Sequence, residues 1–364
     1  MRSEDTRWQR LMETRTNRRT VLKLGGAIGG LVLLAIPFSG CQPSSPAAPK
    51  AKKELFSGQT GGVGMFSATI YVPFFVAEKK GYFAEEGLKL EITEFKGGAD
   101  VSRSLEAGEL KFANLSISPM VNASLKGAPL KNICGVNAAA GSIVYIVPAN
   151  SPIKSIKDIK GKTVSFSSPG ALTDFFARRS VKVAGYAPAD VKLVPLGTPA
   201  DSWTAAKSGI IDVAWCTDGL AQKLVLEGQA RLAWSSTEVV PAWQDTIITT
   251  TDSFIQQSPD VLRGFVRALQ KGQDVIGSSI DEAAKLWSES PGVELPLDLA
   301  KALIKAYPKE AFTTKFTIEG IKVAEEGMRD LGLTKPDQKV PWDKLMDQQF
   351  LPDNMRIDIS KLMS

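Results

Sequence analysis

The chain reads as an α/β protein of two lobes, and three observations predict it. Between residues 88 and 234, short β-rich runs alternate with helical stretches punctuated by glycine, the pattern of parallel sheets covered on both faces by helices. Taking a leader of 40 residues from the 364 leaves 324, too many for one ordinary core. After residue 251 the character changes: 259–288, 298–307 and 317–331 are amphipathic and helical, with no further strand. Val261, Phe265, Leu269 and Ile276 keep one apolar face along the first of these. Helices without a sheet of their own must pack on an earlier lobe, so the lobes are not simply consecutive in sequence.

The leader comes first. Arg18-Arg19-Thr20-Val21-Leu22-Lys23 is a twin-arginine export pattern, and it opens an apolar stretch ending Phe38-Ser39-Gly40-Cys41. Residues 24–40 are too few and too glycine-rich for a membrane span, which needs roughly 20 apolar residues. Small residues before a cysteine form a lipoprotein cleavage pattern, with Cys41 as the acylated first residue of the mature chain. An uncleaved anchor helix is the competing reading. Both put the protein outside the cytoplasm, tethered to a membrane. Residues 41–53, rich in Pro, Ser, Ala and Lys, read as a flexible stalk.

Removing the leader changes the charge. Residues 1–40 hold seven of the 44 Lys/Arg and three of the 39 Asp/Glu, which leaves 37 against 36. A nearly neutral mature chain has no basic stripe for nucleic acid. Cys134 and Cys216 sit in apolar strand-like runs, where buried free thiols compete with a bridge. There is no histidine. That removes Ser–His–Asp and Cys–His nucleophiles, histidine bases and histidine metal sites together. No cofactor or metal is expected.

In the first series of elements Leu88–Phe95 is a strand, 99–107 a helix, 110–117 a strand, 119–126 a helix and 130–136 a strand. The second opens with a strand at 142–147 and a short helix at 153–159. Strands follow at 162–166, 191–196, 211–216 and 231–234, separated by helices at 171–184, 201–208 and 220–227. Thr246–Thr251 is the last strand before the helical region.

Ligands of open α/β sheets sit outside the carboxyl ends of the strands, where the following loops converge. Applied to these strands, that rule selects the run Ser167-Ser168-Pro169-Gly170-Ala171-Leu172-Thr173. Gly170 lets backbone approach a ligand, the first helical N–H groups can seat an anion, and Ser168 and Thr173 add hydroxyls. An N-cap at Ser168 uses the same atoms, so the two roles are compatible. Asp174 complements the helix dipole. The loop 61–71 offers Phe66, Ser67, Thr69 and Tyr71. Its glycines lack the following lysine of a phosphate-binding loop. Ser116 and Ser118 end the strand at 110–117 and face the same cleft. In Trp215-Cys216-Thr217-Asp218 the carboxylate can take a ligand donor or cap the next helix. Trp203, Trp215, Trp234 and Trp243 belong to or border the second lobe. Core packing is the default for them, and Trp243 is the best candidate for a cleft wall.

Three segments resemble the nitrate/sulfonate/taurine-type solute-binding proteins of ABC transporters. They are the run from Phe74 to Leu88 with Gly97-Gly98-Ala99-Asp100, the run from Leu130 to Ser168 containing Ser-Ile-Lys-Asp-Ile-Lys-Gly-Lys-Thr-Val, and the run from Ala206 to Ala214. The resemblance implies a two-lobed periplasmic-binding-protein type II fold with mixed, mostly parallel sheets and the helical C-terminal region packed on lobe one. It implies lobe one at 54–140 plus 245–364, lobe two at 141–244, and crossings near 139–142 and 240–246. It also implies a small solute in the cleft, sulfonate-, nitrate- or carboxylate-like, or pyrimidine-like. The expected partners are an ABC permease and ATPase, and the receptor itself is expected to be a monomer. Thiamine-pyrimidine synthases share the superfamily but consume a histidine of their own, so no enzyme is expected. A sensor that presents its ligand to a membrane receptor is the first alternative, and an extracytoplasmic enzyme on the same fold the second.

Overall fold

The computed structural model describes residues 55–363 apart from Pro241. The leader 1–40 with Arg18 and Arg19, and the stalk 41–53 with Cys41, lie outside the described residues. Among the described residues no helix is long and apolar enough to cross a membrane.

The described residues begin with β1 (Phe56–Val63), α1 (Val72–Lys79), α2 (Tyr82–Glu85) and β2 (Leu88–Phe95). It continues through α3 (Gly98–Glu106), β3 (Phe112–Ser116), α4 (Ile117–Leu125) and β4 (Leu130–Gly135). β1 pairs with β2 in parallel, and Thr60 Oγ1 of β1 donates to Phe112 O of β3 at 3.1 Å. A second set follows: β5 (Ile143–Pro148), β6 (Thr163–Phe166), α5 (Leu172–Ala184), β7 (Lys192–Pro195), α6 (Pro199–Lys207), β8 (Ala214–Thr217), α7 (Asp218–Leu226) and β9 (Ala230–Ser235). β10 (Thr246–Thr251) then returns to the first set and lies between β3 and β4.

Strand direction follows from how the chain crosses. β6 pairs in parallel with β7 and meets Val213, the residue before β8, in the parallel bridge Val164↔Val213, but β5 runs antiparallel to β8 and β9. β10 likewise runs antiparallel to β3 and β4. Each three-stranded sheet, β3-β10-β4 and β8-β5-β9, thus has its middle strand reversed, while the two-stranded sheets β1–β2 and β6–β7 are parallel. β5 and β10 are the strands that follow the two crossings. A strand fed by a helix on its own sheet ends at the cleft, whereas one arriving from the opposite sheet starts there. The crossings run side by side: Val136 N–H donates to Thr246 O at 3.0 Å and Asp245 N–H to Asn137 O at 2.9 Å.

Several sequence-based boundaries shift. Gly61, Gly62 and Val63 belong to β1 rather than to a loop. α4 begins at Ile117, which puts Ser118 inside a helix. The helix expected at 153–159 is one 3-10 turn, Ile156–Asp158. The helix expected at 259–288 is two, α8 (Asp252–Gln257) being followed by α9 (Pro259–Ser278) and α10 (Ile280–Ser288). Ser279 caps the second of these by accepting Glu282 N–H at 3.2 Å. The chain ends with α11 (Leu297–Lys305), α12 (Ile318–Asp330), α13 (Trp342–Leu345) and α14 (Ser360–Met363).

α9 packs against α1 and α2, with Val261, Phe265, Leu269 and Ile276 all buried. Phe265 lies at the centre of an aromatic cluster, its ring centroid 4.6 Å from Phe112, 5.4 Å from Phe83 and 5.5 Å from Phe74. The helical tail also reaches the second set, because α11 touches α7 and α12 touches α5. Cys134 and Cys216 are buried free thiols in different sheets.

Candidate functional site

The strand ends and crossings enclose a cavity of about 40 Å³. Tyr71, Ala68 and Ile70 reach it from the β1–α1 connection, and Asn114, Leu115 and Ser116 from β3. From the second set come Ser167, Ala171, Leu172 and Thr173, with Trp215 and Thr217 of β8. The reversed strands contribute their starts: Ser142 and Ile143 at β5, Asp245 and Thr246 at β10. Among the described residues no lysine or arginine lines it.

Asp245 is the carboxylate of this cavity. It is 1% exposed; its Oδ2 accepts the Ser142 hydroxyl, and its Oδ1 has no partner. Burial pushes the carboxyl up to about 7, the Ser142 hydrogen bond lowers it, and the nearby Asp218 charge raises it. Three further lining residues carry unpaired buried atoms: both amide atoms of Asn114, Trp215 Nε1 and Thr246 Oγ1. A buried polar group without a partner costs about 1–3 kcal/mol. Four such residues meet around one space, which offers a polar ligand both donors and acceptors there.

The start of α5 adds backbone donors. Leu172 and Thr173 are its first residues, so their N–H groups have no intrahelical acceptor. The N-cap is Ala171, not Ser168, and no side chain caps the helix. Thr173 Oγ1 lies 2.6 Å from Ser167 Oγ and accepts Ser167 N–H at 2.8 Å. Asp174 accepts Gly170 N–H at 2.9 Å and pairs with Arg178 at 2.7 Å, a structural role.

Asp218 sits behind the cavity rather than on its wall. As the first residue of α7 it accepts Thr69 N–H (3.1 Å) and its neighbour Gly219 N–H (3.0 Å) on Oδ1, and Tyr307 O–H (3.0 Å) on Oδ2. Burial pushes its carboxyl up to about 6, and these hydrogen bonds hold it from rising further. Beside it, Thr217 Oγ1 donates to Ser67 Oγ at 2.8 Å. Gly219 presses on the same turn: a Cβ there would stand 2.2 Å from Ser67 O.

Of the residues expected at the site, Tyr71, Ser116, Thr173 and Trp215 line the cavity. Phe66 and Ser67 border a separate groove with Glu94 and Lys223. Ser118 is buried in α4, and Gly170 faces Leu333 and Asn122. Ser168 lies against Gly97 with its hydroxyl unpaired. Trp243 stacks on Phe175 at 5.3 Å, inside the core. The rule of carboxyl strand ends missed Ser142, Asp245 and Thr246, which stand at amino ends of reversed strands. It also passed over Asn114, inside β3. The one sequence signal for Asp245 was its place within the crossing expected at 240–246.

A protein-family description, "NMT1/THI5 like", matches residues 68–283. Riboflavin-binding protein RibY of Chloroflexus aurantiacus is 26% identical over 285 residues, which is 73% of this chain and 76% of that protein. A 4-amino-5-hydroxymethyl-2-methylpyrimidine phosphate synthase of Legionella pneumophila is 24% identical over 266 residues, 68% of this chain and 78% of the synthase. Among solved structures, the alkanesulfonate-binding protein SsuA of Xanthomonas axonopodis pv. citri, bound to MOPS, superposes with a TM-score of 0.68 at 17% identity. That superposition covers 83% of this chain and all of SsuA. The shared architecture is the two-lobed periplasmic binding protein fold.

Proposed function

The chain belongs to the NMT1/THI5-like family, and from that premise we propose that it is a non-catalytic receptor that captures a small solute between its lobes and delivers it to an ABC importer. The observation that carries this reading is the cavity, where residues from both sheets bring unpaired, buried polar atoms to one space. In this reading lobe one is 54–140 plus 245–364, lobe two is 141–244, and solute contacts on both favour the closed state. The alkanesulfonate- and riboflavin-binding relatives support a binding role. The relatives named as pyrimidine phosphate synthases support an enzyme on the same scaffold. The resemblance implies that such synthases consume a histidine of their own, and this chain has none.

Closure is testable through Gly219. Ser67 O occupies the space a side chain would need, so Gly219→Ala should hold the lobes apart while leaving each lobe folded. A panel of sulfonates, nitrate, carboxylates, amino acids, pyrimidines and flavins is screened for heat stabilisation of the purified protein. Solute at 100 times its Kd adds about 2.7 kcal/mol. Small-angle scattering with the hit should show a smaller radius of gyration for the parent than for Gly219→Ala, which should bind at least tenfold more weakly. Equal binding by both proteins removes closure from the mechanism. Conversion of the bound compound to product replaces the receptor with an enzyme, and silence across the panel removes support for a receptor of these solutes.

We further place the receptor outside the cytoplasm, exported through Arg18 and Arg19 and held by lipid on Cys41, as a monomer beside its permease and ATPase. Combining Arg18→Lys with Arg19→Lys should leave precursor in the cytoplasmic fraction on immunoblots. Unchanged export of that variant would remove the twin-arginine route.

A further inference from the structure

We propose that the solute is a small nitrogen compound, neutral overall or cationic, that donates an N–H to Asp245, and that free oxyanions are not its class. The proposal rests on the receptor reading above and specifies the chemistry of the same cavity. Its basis is the set of groups left to bond. Asp245 Oδ1 and Asn114 Oδ1 are unpaired acceptors, and Asn114 Nδ2 is an unpaired donor, all buried and on the cavity wall. A carboxylate oxygen and a primary amide on one cavity wall call for a ligand that donates an N–H and also offers an acceptor, as cyclic ureas and aminopyrimidines do, while an amidinium meets the carboxylate alone. Ile70, Leu115, Ile143 and Leu172 supply apolar walls for the rest of such a molecule.

A bare oxyanion fits poorly. It offers acceptors only, and would leave Asp245 Oδ1 facing a like charge in a space no lysine or arginine enters. The charge that acts on Asp245 is that of Asp218, another anion; burial and, with it, the Asp245 charge in turn push up the phenols of Tyr71 and Tyr307. The N–H groups at the start of α5 remain available, but a ligand carbonyl can take them as well as an anion can.

Proton traffic distinguishes the two classes by sign. The Asp245 carboxyl titrates near neutral pH. An N–H donor favours its ionised form, so binding expels a proton; an oxyanion favours the neutral acid, so binding draws one in. The purified protein is titrated calorimetrically at pH 7 in phosphate and in Tris, whose ionisation heats differ. One set of probes is acetamidine, 2-imidazolidinone and cytosine; the other is nitrate, methanesulfonate and acetate. At least one probe of the first set should bind with release of a fraction of a proton, up to one. Asp245→Asn should abolish that release, and Asp245→Asn and Asn114→Leu should each weaken binding tenfold or more. Tight binding of nitrate or methanesulfonate with proton uptake overturns the class while the receptor reading stands. Absence of binding by all three N–H probes at millimolar concentration also overturns the class. Only silence in the wider heat-stabilisation screen as well would count against the receptor.

Discussion

Asp245→Asn is expected to melt above the parent at pH 8, by about 2–5 °C, and to lose most of that lead by pH 5. The parent buries a carboxyl with one oxygen bonded to Ser142 and the other unpaired. Pushed from the ordinary range near 4 up to about 7, it carries a penalty of about 4 kcal/mol at alkaline pH. The amide keeps a bond to Ser142 but buries N–H donors of its own, so about 1–3 kcal/mol of relief remains. For a chain of this size, 1 kcal/mol moves Tm by about 2 °C or less. The direction follows from proton binding. Between pH 7 and 4 the folded form holds a proton on Asp245 that the unfolded chain gives up, so acid stabilises the parent there. The raised carboxyl of Asp218 acts in the same direction through about pH 6. Asp158 and Asp358, held low by hydrogen bonds, oppose this only in stronger acid. Melting curves from pH 8 to 4.5 decide it: a parent that loses stability steadily over that range, in parallel with the variant, sinks the account.

Phe265→Ala should destabilise the protein by about 3–5 kcal/mol. Phe265 is fully buried and touches rings from three other elements: Phe74 of α1, Phe83 of α2 and Phe112 of β3. Its loss empties the middle of a cluster whose other members are fixed by their own backbones, so collapse into the space is partial. Tm should fall by about 5–10 °C, with Phe265→Leu falling less than half as far. The cluster does not line the solute cavity, and affinity measured well below Tm should stay within threefold of the parent. A melt within a degree of the parent would show that the cluster repacks freely. A tenfold loss of affinity would show that it supports the cavity.

How far the fold could be read from sequence depended on whether the deciding contacts were local. Leu88–Phe95 and Thr246–Thr251 are legible because β-branched and apolar residues favour an extended chain over their whole length. β1 is not: Phe56–Val63 contains Gly58, Gly61 and Gly62, and its extended state comes from pairing with β2 some thirty residues later. The break at Ser279 is not legible either: the apolar pattern runs on through 259–288, and only the bond from Glu282 N–H to the serine hydroxyl marks the new helix start.

The cavity was half legible for a related reason. Ser116, Thr173 and Trp215 follow from the rule that strands end at the cleft, and a rule about ends depends on strand direction. Asp245 and Ser142 escape it because β10 and β5 are reversed, and no local pattern records direction. Asp218 was weighed as a cap or a ligand contact, but its partners Thr69 and Tyr307 lie 149 and 89 residues away. Contacts of that separation leave no mark on the neighbouring sequence.

The side-by-side crossings have a mechanical consequence. Two bodies joined at one point can swivel, tilt and twist; joined by two strands fastened to each other, they keep one easy degree of freedom. Val136 with Thr246, and Asn137 with Asp245, are those fastenings. In the receptor reading proposed above, the parting of the lobes becomes rotation about a single axis through this ribbon, and one angle describes it. A single pair of distance labels, one per lobe and far from that axis, would suffice to follow the whole motion.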